Sequence, residues 1–309
     1  MKRDLYFSKP LMNAAGSLGF APDLRVLGEL GGLELGAFVT NPFSLRSRLP
    51  AAKPDVIEYS GGFLLHTGLP NPGLTAGLKK YSVKWSRSEL PIIVHLMADR
   101  PEETQHMVRM LETQENVMAV ELGFAPLLAN DIIMLTLDMC LGELPLIFSL
   151  PVEQVLSLGP RLVQDGAQAI SIATPRGALF TDHLITGRLY GPSLFARSLE
   201  TVFSAAKLGL PIIGAGGVWS KENADAMLSV GALAVQVDVV LWNPAFSLYG
   251  RGNLVPTTIH FNTTSTFTTP ARSCFAVNLT FVPLFAFTTH STLRRSVVLS
   301  SFSSGMTGL

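Results

Sequence analysis

Eight short apolar runs, separated by stretches of helical spacing, constrain the fold of this 309-residue chain more than any other feature of its sequence. Apolar strands that alternate with helices indicate a parallel sheet covered on both faces. Eight such strands predict a closed (β/α)8 barrel with its site at the carboxyl ends of the strands. Residues 102–111 and 194–208 are two of the predicted helices. The predicted strands are residues 11–14, 37–40, 92–96, 117–122, 146–150, 169–173, 212–214 and 234–237.

A glycine loop follows the seventh predicted strand. Gly214, Gly216 and Gly217 allow a sharp turn and a close backbone approach, because no Cβ stands in the way. Ser220 suits the N-cap of the next helix, and Gly231 suits its C-terminal end. Free N–H groups before a helix form an anion site, most often for phosphate. The alternative is an ordinary tight turn of an α/β protein.

Three further motifs, together with this loop, carry a family resemblance. The motifs are PLMNAAGSLG (residues 10–19), HTGLPNPG (residues 66–73) and GRLYGP (residues 187–192). In this order they resemble the flavin-dependent (β/α)8 barrels of the dihydroorotate dehydrogenase family, over about residues 11–240. The resemblance implies a TIM barrel, an FMN cofactor, a small-molecule substrate and an oxidoreductase of pyrimidine biosynthesis.

The resemblance also assigns residues to the two ligands. Those expected to hold FMN are Ala14, Ala15, Gly16, Thr40, Gly187, Gly216 and Gly217. Those expected beside the substrate are Gly68, Leu69 and Asn71. The long connection from residue 41 to residue 90, which is mostly irregular in its sequence pattern, is expected to form part of the lid over both ligands.

Several positions depart from the family pattern. The loop that resembles ELNxSCPN reads Glu121 to Pro126 as ELGFAP, which lacks the Cys or Ser base and the first asparagine. Residues that replace expected lysines and asparagines are Asn41, Leu65, Ser149 and Ala173. Each unmade charged hydrogen bond costs about 1.5–3 kcal/mol. The sequence therefore predicts no measurable oxidation of dihydroorotate.

Another residue is needed as the base. His95 lies near the end of the third predicted strand, where barrel enzymes carry their catalytic groups, and His66 precedes the GLPNPG motif. Either histidine could instead be a packed or solvated residue. Cys140 falls in an apolar stretch and is expected to be a buried structural thiol. Glu121 is expected to accept structural hydrogen bonds rather than to act as an acid or base.

Asp238 bears on the cofactor, because it follows the eighth predicted strand where the family has glycine. A helix N-terminus favours phosphate by about 0.3–1 kcal/mol. A carboxylate about 4 Å from the phosphate opposes it by roughly 4 kcal/mol at an effective dielectric of 20. FMN is therefore expected to be weakly bound or absent, unless Asp238 turns to solvent or pairs with a basic neighbour.

Composition sets the remaining expectations. Charge balances, with 23 basic and 23 acidic residues, so neither a nucleic acid nor an anionic membrane is an expected partner. Two cysteines give no metal spacing and no disulfide framework, and no segment is apolar enough for a spanning helix. These features favour a cytoplasmic protein without a metal site. The resemblance adds a possible homodimer.

The chain changes character after Asp238. From residue 239 to residue 309 there is no Asp, Glu or Lys, and Ser, Thr and Phe dominate. A barrel should end on an amphipathic helix with an outer charged face, and none is evident here. We expect a barrel domain at residues 1–243 and, at residues 244–309, a tail that is disordered, β-rich or encoded out of frame.

Three functions remain open from the sequence. The first is a flavin oxidoreductase of the dihydroorotate dehydrogenase type. The second is a degenerate, non-catalytic barrel that binds a phosphate-bearing ligand or a partner. The third is a flavoenzyme with a different substrate. A bound flavin, which is visible in the absorbance spectrum, separates the first and third from the second.

Overall fold

The computed structural model of this protein describes residues 5–29 and 34–242. The predicted tail at residues 244–309 lies outside this range. The strands are β1 (Leu11–Asn13), β2 (Phe38–Val39), β3 (Asp55–Tyr59), β4 (Gly62–His66), β5 (Ile92–Met97), β6 (Val117–Gly123), β7 (Leu146–Leu150), β8 (Ala169–Ile172), β9 (Arg176–Phe180), β10 (Leu184–Tyr190), β11 (Ile212–Gly214) and β12 (Ala234–Val237). The helices are α1 (Leu24–Glu29), α2 (Leu74–Ser86), α3 (Pro101–Glu112), α4 (Asn130–Cys140), α5 (Val152–Gln164), α6 (Phe195–Lys207) and α7 (Lys221–Ser229).

Eight parallel strands form a barrel, in the order β1, β2, β5, β6, β7, β8, β11 and β12. A bridge between Met12 and Ala37 joins β1 to the residue before β2, and β1 pairs with β12. These strands are the eight apolar runs of the sequence, so the predicted (β/α)8 barrel is confirmed. Both predicted helices are confirmed as well, as α3 and α6.

The strands are apolar on both faces because each face is covered. Small and branched side chains such as Val39, Ile93 and Ile147 fill the barrel interior. Alternate residues pack outward against the helices in a larger core that includes Phe148 and Leu122. No helix in the described part of the chain is long and apolar enough to cross a membrane.

A separate antiparallel sheet, which we call the lid sheet, has the strand order β3, β4, β10, β9. Its first hairpin lies in the 41–90 connection, and its second lies between β8 and α6. The 41–90 segment also contains the 13-residue helix α2, which was not predicted from the sequence. Leu74, Leu78, Tyr81 and Trp85 give this helix an apolar face at helical spacing.

The predicted glycine loop and its helix have the expected geometry. Ser220 caps α7, since its side chain accepts a hydrogen bond from the amide of Asn223. Gly231 follows the helix with φ +109°, a conformation that favours glycine. Both predicted caps are confirmed.

Candidate functional site

The carboxyl ends of the barrel strands form a mouth that carries buried polar side chains. An apolar interior tolerates such groups only when they are hydrogen-bonded. Most of them lie on inward positions of neighbouring strands, since alternate residues of a strand share a face. The buried polar residues at this end are Asn13, Thr40, His95, Glu121, Ser149, Ser171, Gln236 and Asp238.

Glu121 on β6 is the centre of a hydrogen-bond network. Its Oε2 lies 2.7 Å from Nδ1 of His95 on β5. Its Oε1 accepts from the Ser171 hydroxyl at 2.6 Å and from the Gln236 amide at 2.8 Å. Four strands therefore converge on one carboxylate that is 1% exposed. This placement confirms the expected hydrogen-bonding role of Glu121 and adds a histidine partner.

The network fixes the ionisation of Glu121. Burial alone would raise the pKa of this carboxyl, but the hydrogen bond from His95, the charge of its ring when protonated, and the bonds from Ser171 and Gln236 hold it below its ordinary value. An ionised carboxylate can only accept hydrogen bonds. The proton between the two side chains therefore belongs to Nδ1 of His95, and Nε2 is left as the atom that can take up a proton.

His95 is able to lie here because residue 123 is glycine. A Cβ at Gly123 would stand 2.5 Å from Nε2 and 2.8 Å from Cε1 of the imidazole. The backbone also holds the histidine, since its amide donates to the Thr40 hydroxyl at 3.1 Å. Nε2 has no hydrogen-bond partner among the residues that the structure describes. The arrangement can perform acid–base chemistry at the mouth.

Asp238 lies one residue beyond β12 and is 5% exposed. It neither turns to solvent nor, within residues 5–29 and 34–242, forms an ion pair, so both alternatives for this residue were wrong. Burial raises its pKa to about 6, against hydrogen bonds from the backbone amides of Val239 and Val240 that favour the ionised form. No described group satisfies its Oδ1. Asp238 therefore places a carboxyl group beside the amides that an anion at the end of β12 would need.

The residues expected around FMN divide into two groups. At the end of β1, Ala14 and Ala15 lead into Gly16, which has φ +93° and open space where a Cβ would stand. The backbone of Gly16 is therefore open to the approach of a ligand. Thr40 differs, because it is fully buried and its hydroxyl already accepts from His95.

The phosphate end is less favourable. A Cβ on Gly216 would lie 2.8 Å from the Ser198 hydroxyl, and one on Gly217 would overlap the amide nitrogen of Phe195 at the start of α6. Gly216 and Gly217 are therefore required for the packing of α6, whether or not a ligand binds beside them. With Asp238 alongside, the residues present fit the ring of FMN better than its phosphate.

The residues expected beside the substrate lie in a tightly held loop. Asn71 is buried, and its Oδ1 accepts from the amides of Ser44 and Gly73 at 3.2 and 3.0 Å. Gly68 and Leu69 both have positive φ. Asn71 therefore shapes the loop with its own side chain rather than leaving that oxygen free for a ligand.

Two other expected residues lie elsewhere. Gly187 lies in β10 opposite Gly177, inside the lid sheet. His66 ends β4, with Nδ1 2.8 Å from the carbonyl of Thr186. Cys140 is buried as expected, and burial raises its pKa to about 12. Of the proposed bases, only His95 therefore faces the mouth with a carboxylate partner.

The sequence did not single out Ser171, Gln236 or the lid-sheet residues Arg176 and Arg188. Ser171 and Gln236 are polar residues at inward positions of otherwise apolar strands, a signal that was available in the pattern. Arg188 lies opposite Leu65 in the lid sheet, at the position where the resemblance expects a substrate asparagine.

Comparison with known proteins gives one family. The model of the dihydroorotate dehydrogenase family matches residues 3–124. Catalytic subunits of dihydroorotate dehydrogenase B (NAD(+)) are similar over most of the chain. The one from Pelobacter propionicus is 28% identical over 256 residues, which cover 75% of this chain and 84% of that protein. The one from Pyrococcus horikoshii is 26% identical over 266 residues, with 79% and 86% covered.

A solved structure agrees in fold. The DHODH of Eimeria tenella, in complex with ferulenol, matches with a TM-score of 0.62 at 16% identity. The match covers 77% of this chain and 78% of that one. At this identity the likeness concerns the fold alone.

Proposed function

Because this chain belongs to the dihydroorotate dehydrogenase family, we propose that it is an FMN-dependent oxidoreductase that acts on a small molecule, with His95 as its base. The His95–Glu121 pair at the mouth is the observation that supports the proposal. It supplies a base where the family's Cys or Ser is missing. By descent the reaction belongs to pyrimidine biosynthesis, but the departures at Leu65, Gly123 and Ser149 argue for a substrate other than dihydroorotate.

The residues of the chain have separate tasks in this proposal. Nε2 of His95 takes a proton from a substrate carbon, and the ionised Glu121 stabilises the positive ring that results. Ser171 and Gln236 keep the carboxylate in place by their hydrogen bonds to its other oxygen. Ala14, Ala15 and Gly16 would lie against FMN, which when bound supplies an acceptor for hydride. The proposal includes a cytoplasmic location and a homodimer.

The test uses protein reconstituted with FMN. Dihydroorotate and a panel of saturated carboxylic acids are mixed with it without oxygen, and flavin reduction is followed by absorbance. We expect no reduction by dihydroorotate and reduction by at least one other acid. His95→Gln should slow that reduction by about 10²–10⁴-fold, whereas His106→Gln on the exposed side of α3 should not. Equal rates in wild type and His95→Gln would contradict the role of His95.

The second candidate is a degenerate, non-catalytic barrel that binds a phosphate-bearing ligand or a partner. The position of Asp238 favours the absence of flavin chemistry, because a buried carboxyl group at the end of β12 opposes the phosphate of FMN. It opposes any other phosphate there as well, so it favours a partner over a phosphate-bearing ligand at this strand end. Titration with FMN, read as quenching of flavin fluorescence, separates the candidates. Weak binding in wild type and tighter binding in Asp238→Gly support the flavoprotein, with Asp225→Asn on the exposed face of α7 as control. Failure of both proteins to bind FMN supports the second candidate.

A further inference from the structure

Two arginines of the lid sheet stand directly opposite each other. Arg176 on β9 and Arg188 on β10 are paired in the antiparallel register. Opposed side chains of such a pair share one face of the sheet and lie close together. Like charges in this position destabilise a sheet, so the arrangement calls for a compensating negative charge.

This face of the lid sheet looks toward the barrel mouth. Tyr190 lies two residues beyond Arg188 on the same strand and therefore on the same face. It is buried in a cluster with Phe63 and with Val239, which follows β12. Burial raises the pKa of its hydroxyl, and the neighbouring side chains of Arg188 and of Thr174, which follows β8, act in the opposite direction. The guanidinium group of Arg188 therefore lies between the lid sheet and the barrel.

A third arginine adds to the charge. Burial lowers the pKa of Arg176, and the positive charges of Arg188 and Arg48 lower it further, while Asp99 acts in the opposite direction. Arg48 follows β2 and Asp99 follows β5, so both belong to loops at the mouth. The three guanidinium groups thus lie near enough to act on one another, with Arg176 itself exposed and with Asp99 as the carboxylate that acts on it. In the part of the chain that the structure describes, no carboxylate oxygen comes within 4.0 Å of any of the three.

A cleft lies beside the third arginine, Arg48, and its lining does not include Arg176 or Arg188. Its volume is about 280 Å³, and it lies between the loop after β2 and the loop after β5. Arg48 and Asp99 are both part of its lining. The cleft has room for a small molecule, and it opens beside the strand end that carries His95.

We infer that Arg48, Arg176 and Arg188 bind a small dianion, either a dicarboxylate or the phosphate end of the substrate, above His95. Guanidinium groups suit this ligand because their planar forks match the oxygens of a carboxylate or a phosphate. The lining of the cleft carries two carboxylates, Asp99 and Glu103, against the guanidinium groups of Arg46, Arg48 and Arg100, and the lid-sheet pair adds two more positive charges. The region therefore keeps an excess of positive charge. The inference extends the proposed function, since it names the substrate class of the same mouth.

The experiment measures binding without turnover. Wild-type protein is titrated with inorganic phosphate and, separately, with succinate, at constant ionic strength, by calorimetry and by thermal unfolding. We expect at least one of the two to bind and to raise the midpoint of unfolding. Succinate alone would identify a carboxylate site, and phosphate alone a phosphate site.

Two variants and a control locate the site. Arg176→Gln and Arg188→Gln should each weaken binding at least about tenfold, since each loses charged hydrogen bonds. Without any dianion, Arg176→Gln should unfold at a higher temperature than wild type, because one of two opposed charges is gone. Arg161→Gln on α5, far from the mouth, should change neither result.

Two outcomes overturn the inference. One is the absence of binding of both probes by wild-type protein, and the other is unchanged affinity in Arg176→Gln and Arg188→Gln. Either result is expected if the arginine pair is solvated and binds no ligand. The FMN and His95 experiments do not depend on these titrations, so failure of the dianion site can be distinguished from failure of the proposed oxidoreductase.

Discussion

At the scale of single residues, the site depends on the packing of a large side chain on β5 against a glycine on the neighbouring strand β6. Gly123 leaves room for the imidazole of His95, and the resemblance expects an asparagine at that glycine. A histidine on β5 thus fills the volume that a side chain on β6 would otherwise occupy. The position of the His95 ring depends on the absence of a side chain at residue 123. The sequence position of either residue alone therefore did not predict a base.

The first prediction tests this packing by adding a methyl group. Gly123→Ala should destabilise the protein by about 1–3 kcal/mol, because overpacking a filled site forces side chains off their preferred rotamers. In a His95→Asn background, where the side chain is smaller, the same change should cost much less. Urea unfolding of the four proteins gives the coupling. A cost that does not depend on residue 95 would contradict the packing argument.

The second prediction concerns the proton on His95. In Glu121→Gln the amide donates to Nδ1, so the ring must carry its proton on Nε2 and can no longer act as a base there. The shape is nearly unchanged, and we expect a stability loss of about 1–3 kcal/mol. The ¹⁵N shifts of the ring report the tautomer. Retention of the Nδ1–H form in this variant would show that Glu121 does not set it.

At the scale of elements, the barrel was predictable and the lid sheet was not. Buried parallel strands are apolar on both faces, so their runs are evident in the sequence. Helix α2 was not predicted, although Leu74 and Trp85 lie on one helical face. The hairpin of β9 and β10 carries alternating and partly exposed residues, and its role depends on what it covers.

The third prediction concerns Gly77 in α2. Alanine is usually favoured over glycine in a helix by about 1 kcal/mol. Here a Cβ would overlap the ring of Phe43, which is fully buried. We therefore expect Gly77→Ala to lower stability, opposite to its helix propensity, by about 1–3 kcal/mol. Val83→Ala on the exposed face of the same helix is the control and should be neutral or slightly stabilising, as measured by thermal unfolding.

At the scale of the whole molecule, barrel closure assembles the site. His95, Ser171 and Gln236 lie 26, 50 and 115 residues from Glu121, and only the order of the strands brings them to one carboxylate. Sequence patterns predict the strands and the end at which a site forms. They do not predict which inward side chains meet, because that depends on the stagger of neighbouring strands. The boundary at residue 243 stays a prediction.

The last prediction concerns the dependence of stability on pH. Asp238 has a folded-state pKa of about 6, above its ordinary value of 3.8, so the folded protein holds a proton that the unfolded chain releases. Its contribution is fully present below pH 3.8 and is lost as pH rises through 6, which amounts to about 3 kcal/mol. Glu121 acts in the opposite sense, since its pKa is lowered, and its contribution is lost as pH falls below its ordinary 4.5.

The two windows overlap, because Asp238 loses its contribution above pH 3.8 and Glu121 loses its own below pH 4.5. The two carboxyl groups together therefore predict a maximum of stability at about pH 4. The side chain of Asp238→Asn stays neutral at every pH. The variant should therefore have the same free energy of unfolding as wild type at about pH 4, and a higher one, by up to about 3 kcal/mol, at about pH 7.5. Asp225→Asn, exposed on α7, should show no such trend. Urea unfolding at both pH values gives the difference. A difference between Asp238→Asn and wild type that does not change with pH would mean that the carboxyl titrates as it does in the unfolded chain, and that its burial does not oppose an anion at the end of β12.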